Sequence, residues 1–250
     1  MNRDIIIPFI ISLMAGLSTL IGCFFLVIKP KNVCKFIGIS LSFSATIMIL
    51  ISIFELIPEG FYYIVKSNGL FLGIFMLMLM ILIGYLLNTC INKKIAEKGF
   101  NSSNLYRVGI LSMIALMIHN LPEGILTFLS SSVDIKLGLK LSIAIMLHNI
   151  PEGIAIAVPI YYSTGSRGKA VINTLISGLS EPIGALLAYL FLYKYMSNFL
   201  ISIILLFVAG IMISISINDI FDEARKYSNK YILIGFILGV IMIVVTQFVL

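Results

Sequence analysis

Apolar runs of about 20 residues, separated by short polar interruptions, tile this chain almost from end to end. A helix needs about 20 mostly apolar residues to cross a hydrocarbon core of roughly 30 Å. On that measure the pattern predicts eight spans, at residues 5–28, 36–57, 70–91, 108–130, 138–161, 170–192, 200–220 and 231–250. The connections between them are too short to bury a core of their own. Residues 1–250 therefore read as a single all-α polytopic membrane domain, one bundle of eight transmembrane helices. The first run is too long for a signal-peptide core and no A-x-A-like cleavage site follows it, so it reads as a retained span.

Composition sharpens the class. With 60% hydrophobic and 11% charged residues, the chain cannot build the charged shell of a soluble domain. The net charge of +6 comes from bases scattered over short loops, not a stripe, which argues against a nucleic-acid partner. Their distribution reports topology. Lys29, Lys31, Lys35, Lys93, Lys94, Lys98, Arg107, Arg167, Lys169, Arg225, Lys226 and Lys230 fall on one side, and Arg3, Lys66, Lys136, Lys140 and Lys194 on the other. The positive-inside rule makes the richer side cytoplasmic and, with an even number of spans, puts both termini outside the cell membrane. Cys23, Cys34 and Cys90 have no C-x-x-C spacing and read as small apolar residues.

The polar residues left inside the spans are few and concentrated. Of eleven acidic residues, seven (Asp4, Glu59, Glu97, Asp134, Asp219, Asp222 and Glu223) fall at span ends or in loops. Glu55 lies in the last turn of the second span; Glu123, Glu152 and Glu181 lie well inside the fourth, fifth and sixth. Both histidines, His119 and His148, share the fourth and fifth spans with them. An ionised group near the bilayer centre costs about 2.5–3.5 kcal/mol on insertion scales, so such groups persist where they pair, bind ions or line water.

The cluster is built by repetition. LMIHNLPEGI, residues 116–125, returns as IMLHNIPEGI, residues 145–154. In each copy the histidine and glutamate are four apart on a helix, and the asparagine and glutamate three apart, so the three side chains share one face. Two such helices face to face converge imidazoles, carboxylates and amide oxygens on one volume, a donor set that suits a divalent transition metal. Without thiolates the site is exchangeable, as a carrier requires. Pro122 and Pro151 each remove an amide donor and free a carbonyl, at Ile118 and Leu147, which predicts kinks of the sort that line transport sites. SGLSEPIGA on the sixth span adds Glu181, with Ser177 one turn before it on the same face. The alternative for the two copies is hydrogen-bonded glue between helices.

The HNLPEG and HNIPEG pair on consecutive helices, followed by the glutamate of SEPIG on the next, resembles the ZIP (Zrt- and Irt-like) metal transporters, and in compactness their bacterial zinc-uptake branch. The resemblance covers the whole chain in span number and length. It implies a transporter that moves Zn2+, and also Fe2+, Mn2+, Co2+ or Cd2+, into the cytoplasm through a binuclear centre midway across. Carried over by motif position, one site would use His119, Glu123, His148 and Glu152, and the other Asn120, Asn149, Glu152 and Glu181, with Glu123 able to bridge. Two departures stand out. Residues 92–107 contain no histidine, where many relatives carry a histidine-rich loop, and His148 stands where other members have a non-histidine ligand.

Access and release are less legible. Glu55 reads either as an outer vestibule that attracts cations or as the end of a span stopping at Pro58, with Glu59 farther out in water. Asn218, Asp219, Asp222 and Glu223 read as a solvated helix end or, Asp219 above all, as an exit station. Gly235 and Gly239 form a GxxxG that suits packing within the bundle or a homodimer face. The methionines of FMLMLMIL, residues 75–82, spread around their helix as lipid or packing residues. A rival class, an intramembrane metal-dependent hydrolase, lacks HExxH and a nucleophile beside a base; a metal sensor would need a signalling domain. The reading is a transporter and not an enzyme, with metal as cargo, the bilayer as partner and no catalytic cofactor.

Overall fold

In hydrocarbon, backbone amides must be satisfied within their own segment, and each apolar run forms helix. The computed structural model describes residues 3–28, 30–97, 104–195 and 197–249. Lys29, Lys98, Leu250 and the side chain of His148 lie outside the described residues. Among those described there is no strand.

The described residues form eight successive helical segments. Helix α1 runs over Arg3–Ser18 and continues as a 3-10 segment, Thr19–Val27. Then come α2, Val33–Asn68; α3, Leu70–Glu97; α4, Asn104–Val133; and α5, Ile135–Thr164. The last three are α6, Arg167–Tyr195; α7, Asn198–Ala224; and α8, Asn229–Val249. Seven of them contain stretches long and apolar enough to cross a membrane. In α8 the apolar stretch Asn229–Val245 is shorter, but the 21-residue helix is about 30 Å long, the thickness of a hydrocarbon core.

The bundle divides into two groups. Helices α4, α5 and α6 pack on one another and on α1, while α3 lies against α7 and α8 against α2. The groups meet where α2 packs on α5 and α4 on α7. Leu41, Ala45 and Met48 of α2, Ala155 and Val158 of α5 and Ile211 and Met212 of α7 are fully buried at the centre of this arrangement. Gly235 and Gly239 face α2: a Cβ on the first would lie 2.5 Å from the Ile39 carbonyl oxygen, and one on the second 2.9 Å from Thr46 Cβ. The GxxxG motif therefore serves packing within the bundle.

One expected boundary changes. The second span does not stop at Pro58; it runs on to Asn68. The helix widens into a π segment at Ser52–Leu56, whose last turn closes from the Ile57 amide to the Ser52 carbonyl, and Pro58 then occupies the first turn of the next α segment, Ile57–Asn68. There its missing N–H is tolerated. Pro122 and Pro151 likewise sit inside continuous helices. The Pro151 carbonyl accepts a hydrogen bond from Ser44 Oγ at 2.6 Å, tying α5 to α2 beside the second motif.

Helix α7 contains a counterpart of the α2 widening. A π segment at Ser216–Ile220 matches Ser52–Leu56, and the flanking sequence repeats with it: ATIMILISIFELIPE, residues 45–59, against AGIMISISINDIFDE, residues 209–223. Ser52 and Ser216 each donate to the carbonyl four residues back, at Met48 and Met212, both at 2.8 Å. The start of α2 packs against the end of α7, and the end of α2 against the start of α7, so the two copies are antiparallel. Glu55 and Asp219 occupy equivalent places at opposite ends of the pair.

Candidate metal centre

The fourth, fifth and sixth helices meet at the two HNxPEG copies. On α4, His119 is fully buried and its Nε2 lies 3.1 Å from Glu123 Oε1, one turn on. The same nitrogen lies 3.2 Å from Glu152 Oε1 on α5. One ligand atom from each of these three residues falls within 4.8 Å of the others. Ligand atoms around a tetrahedral zinc with bonds of about 2.1 Å stand about 3.4 Å apart. The spacing is thus close to that of a first coordination shell.

The remaining predicted ligands surround this triad. Asn149 on α5 donates to the Glu181 carboxylate on α6 and, at 2.8 Å, to the Ala15 carbonyl on α1. Its Oδ1 and Glu181 Oε2 have no hydrogen-bond partner among the described residues. The Asn120 amide, turned one way, donates to Glu152 Oε2 at 3.2 Å and to the Leu116 carbonyl at 2.8 Å. Turned the other way it reaches only the Ser177 carbonyl, at 3.4 Å. The first orientation uses the carboxylate and is the better-satisfied one. Ser177 is fully buried beside them with its hydroxyl unpartnered. The structure therefore brings together His119, Asn120, Glu123, Asn149, Glu152, Glu181 and Ser177; the imidazole of His148 lies outside the described residues.

Close helix approach makes this convergence possible. A Cβ on Gly124 would lie 1.9 Å from the Glu181 carbonyl oxygen, and one on Gly184 2.0 Å from that of Leu121. The backbones of α4 and α6 thus touch directly, and Glu123 and Glu181, each beside the contact, are pressed toward one volume. Glu123 and Glu152 both pair with His119. Buried carboxylates are costly in a bilayer, and a bound cation offsets that cost.

Outside the triad the structure revises the sequence reading. Glu55 lies half-buried in the π segment of α2. It is Glu59 that lines a cavity of about 70 Å³ between the two helix groups, with Tyr63, Leu126, Ser130 and Asn198. The helix continues past Pro58, so Glu59 is held against α7 and not released into water. Ser130 lies on the helical face of His119 and Glu123, so the cavity stands about two to three turns above the triad.

At the other end, Asn218 and Asp219 are tied to α3. Asn218 Nδ2 donates to Tyr85 Oη at 3.1 Å and to Ser214 Oγ at 3.2 Å, and Asn88 Nδ2 donates to Ser214 Oγ at 3.1 Å and reaches Asp219 Oδ2 at 3.5 Å. Glu223 is buried and paired with Lys226; Asp222 alone of the four is exposed, 3.0 Å from Arg225. Sequence reasoning passed over Asn88, Tyr85 and the Ala15 carbonyl. The repeat of residues 45–59 at 209–223, which the hydropathy pattern alone does not bring out, is the signal that could have pointed to this end of α7.

A bundle of apolar helices that converges an imidazole and carboxylates inside hydrocarbon has the donor set of a membrane transporter for metal cations. Comparison with known proteins agrees. A family model described as ZIP Zinc transporter matches residues 90–247. The zinc transporter ZupT of Streptococcus mutans is 36% identical, covering 98% of each chain. ZupT of Clostridium perfringens is 34% identical over 98% of this chain and 96% of its own, and ZupT of Oceanobacillus iheyensis 36% over 99% of each. The chain belongs to the ZIP family, whose members are transporters and not enzymes.

Proposed function

We propose that this protein carries zinc, and with it other divalent transition-metal ions such as Fe2+, Mn2+, Co2+ and Cd2+, into the cytoplasm across the cell membrane. The observation that carries the reading is the buried triad of His119, Glu123 and Glu152, with ligand atoms within 4.8 Å of one another, in a chain similar to zinc transporters. His119, Glu123, His148 and Glu152 hold one ion; Asn120, Asn149, Glu152 and Glu181 hold a second beside it. Glu152 is shared.

The lysine-rich face is cytoplasmic and both termini are outside. Metal is gathered at Glu59, one turn outward of Glu55, and passes the Ser130 cavity. It then exchanges water for the buried ligands and leaves toward Asp219. Inward movement of a cation is favoured by a negative interior at about 2.3 kcal/mol per charge per 100 mV, so energetics demand no coupled ion.

The test is uptake by proteoliposomes of the purified protein, with zinc, ferrous iron, manganese and cadmium in competition. Glu152→Ala is expected to abolish zinc uptake. Wild-type flux in that variant would remove the shared-ligand arrangement, because no other carboxylate contacts His119 from α5.

A further inference from the structure

On the lysine-rich face the two helix groups leave a groove of about 450 Å³, a size typical of small-ligand sites. Its walls come from both groups: Phe25 of α1 and Ile154 of α5 on one side, Phe43 of α2 and Leu238 of α8 on the other. Its mouth carries Lys31 and Lys35, both exposed. Nearby bases are already committed, Arg225 to Asp222 and Lys226 to Glu223. Neither Lys31 nor Lys35 has a carboxylate partner among the described residues.

Three features of this groove select its occupant. The lining of α2 from Lys35 to Phe43 covers about 12 Å at 1.5 Å per residue, and Lys31 extends it beyond the helix start, close to the ~15 Å of one leaflet of hydrocarbon. The lower walls are apolar and the charge is confined to one end. That end also holds the N-terminus of α2, where Asn32 caps the helix by accepting from the Lys35 amide at 2.9 Å, and a helix N-terminus favours an anion. A positive rim over an apolar slot between membrane helices is the arrangement that holds an anionic lipid headgroup.

We propose that the groove is a site for one phospholipid with an anionic headgroup, drawn from the leaflet on the lysine-rich side. Lys31 and Lys35 hold the headgroup phosphate, and an acyl chain lies between Phe25 and Ile154 on one wall and Phe43 and Leu238 on the other. Ile154 is two residues from Glu152, so the bound chain touches both helix groups beside the metal ligands.

The experiment is retention of lipid by the purified full-length protein in detergent, read by native mass spectrometry after exposure to phosphatidylglycerol or phosphatidylcholine. It does not depend on metal flux, so its failure and failure of the transport reading are separate results. One phosphatidylglycerol per chain is expected, held at least tenfold more tightly than phosphatidylcholine. In Lys31→Gln/Lys35→Gln the preference is expected to fall roughly 10- to 30-fold, from about 1 kcal/mol per basic residue near an anionic headgroup. In Leu238→Trp, a change at a half-exposed position that fills the slot, both lipids are expected to be lost with the lysines intact. Equal retention of the two lipids, an unchanged preference in the double variant, or displacement by inorganic phosphate alone would overturn the proposal.

Discussion

The contact between α4 and α6 offers a direct test of how the centre is assembled. In Gly124→Ala the new Cβ would stand 1.9 Å from the Glu181 carbonyl oxygen, 2.6 Å from its carbonyl carbon and 2.8 Å from its Cα, where ordinary contact begins at 3.4 Å. All three atoms are backbone, so no side-chain rotation relieves the clash, and the helices must separate by about 1.5 Å at this level. Overpacking of that kind costs about 1–3 kcal/mol. The functional cost is larger, because the shift acts on Glu181 itself and metal–ligand distances tolerate only about 0.2 Å. We expect Gly124→Ala to insert and fold with a modest fall in thermal stability, while metal uptake falls at least tenfold. The assay pairs proteoliposome flux with thermal unfolding, using Gly168→Ala as a control, since the nearest atom to its Cβ is 3.9 Å away. Wild-type flux and affinity in Gly124→Ala would refute the argument that close backbone approach sets the ligand geometry.

Other outcomes follow from the same geometry. Glu181→Gln is expected to reduce the metal bound at saturation from two ions per chain to one, measured by elemental analysis of purified protein; retention of both would remove Glu181 from the second site. Glu59→Gln is expected to raise the half-saturating metal concentration three- to tenfold at low ionic strength with little change in maximal rate, as loss of an attracting charge predicts. Asn88→Ala, which removes donors to Ser214 and Asp219, is expected to destabilise the α3–α7 pair by about 1 kcal/mol, and an unaltered unfolding midpoint would count against a structural role. Cys34, exposed in the first turn of α2, is expected to react with a membrane-impermeant thiol reagent only after cells are permeabilised. Labelling of intact cells would reverse the orientation.

Much of this protein is written locally. Span number follows from hydropathy because the bilayer imposes one length on every crossing helix. The candidate ligand set is legible because polar groups in hydrocarbon must have partners, so the HNxPEG copies stand out against their surroundings. Helical spacing alone placed His119, Asn120 and Glu123 on one face. Pro58 misled because its usual meaning is a helix end. The π segment before it absorbs the missing donor, and such widening depends on bonds between turns that local propensity does not encode.

What the sequence could not determine was which helices touch. The separation into α1, α4, α5 and α6 against α2, α3, α7 and α8 arises from packing between segments far apart in the chain. So do the Ala15 carbonyl beneath Asn149, Glu59 in place of Glu55 at the Ser130 cavity, and Asn88 against Asp219. A side chain's identity and its place on a helix are properties of a few neighbouring residues, and they are readable one turn at a time. The partner it meets across a helix interface depends on backbone approach at positions such as Gly124 and Gly184, and only the folded bundle decides that.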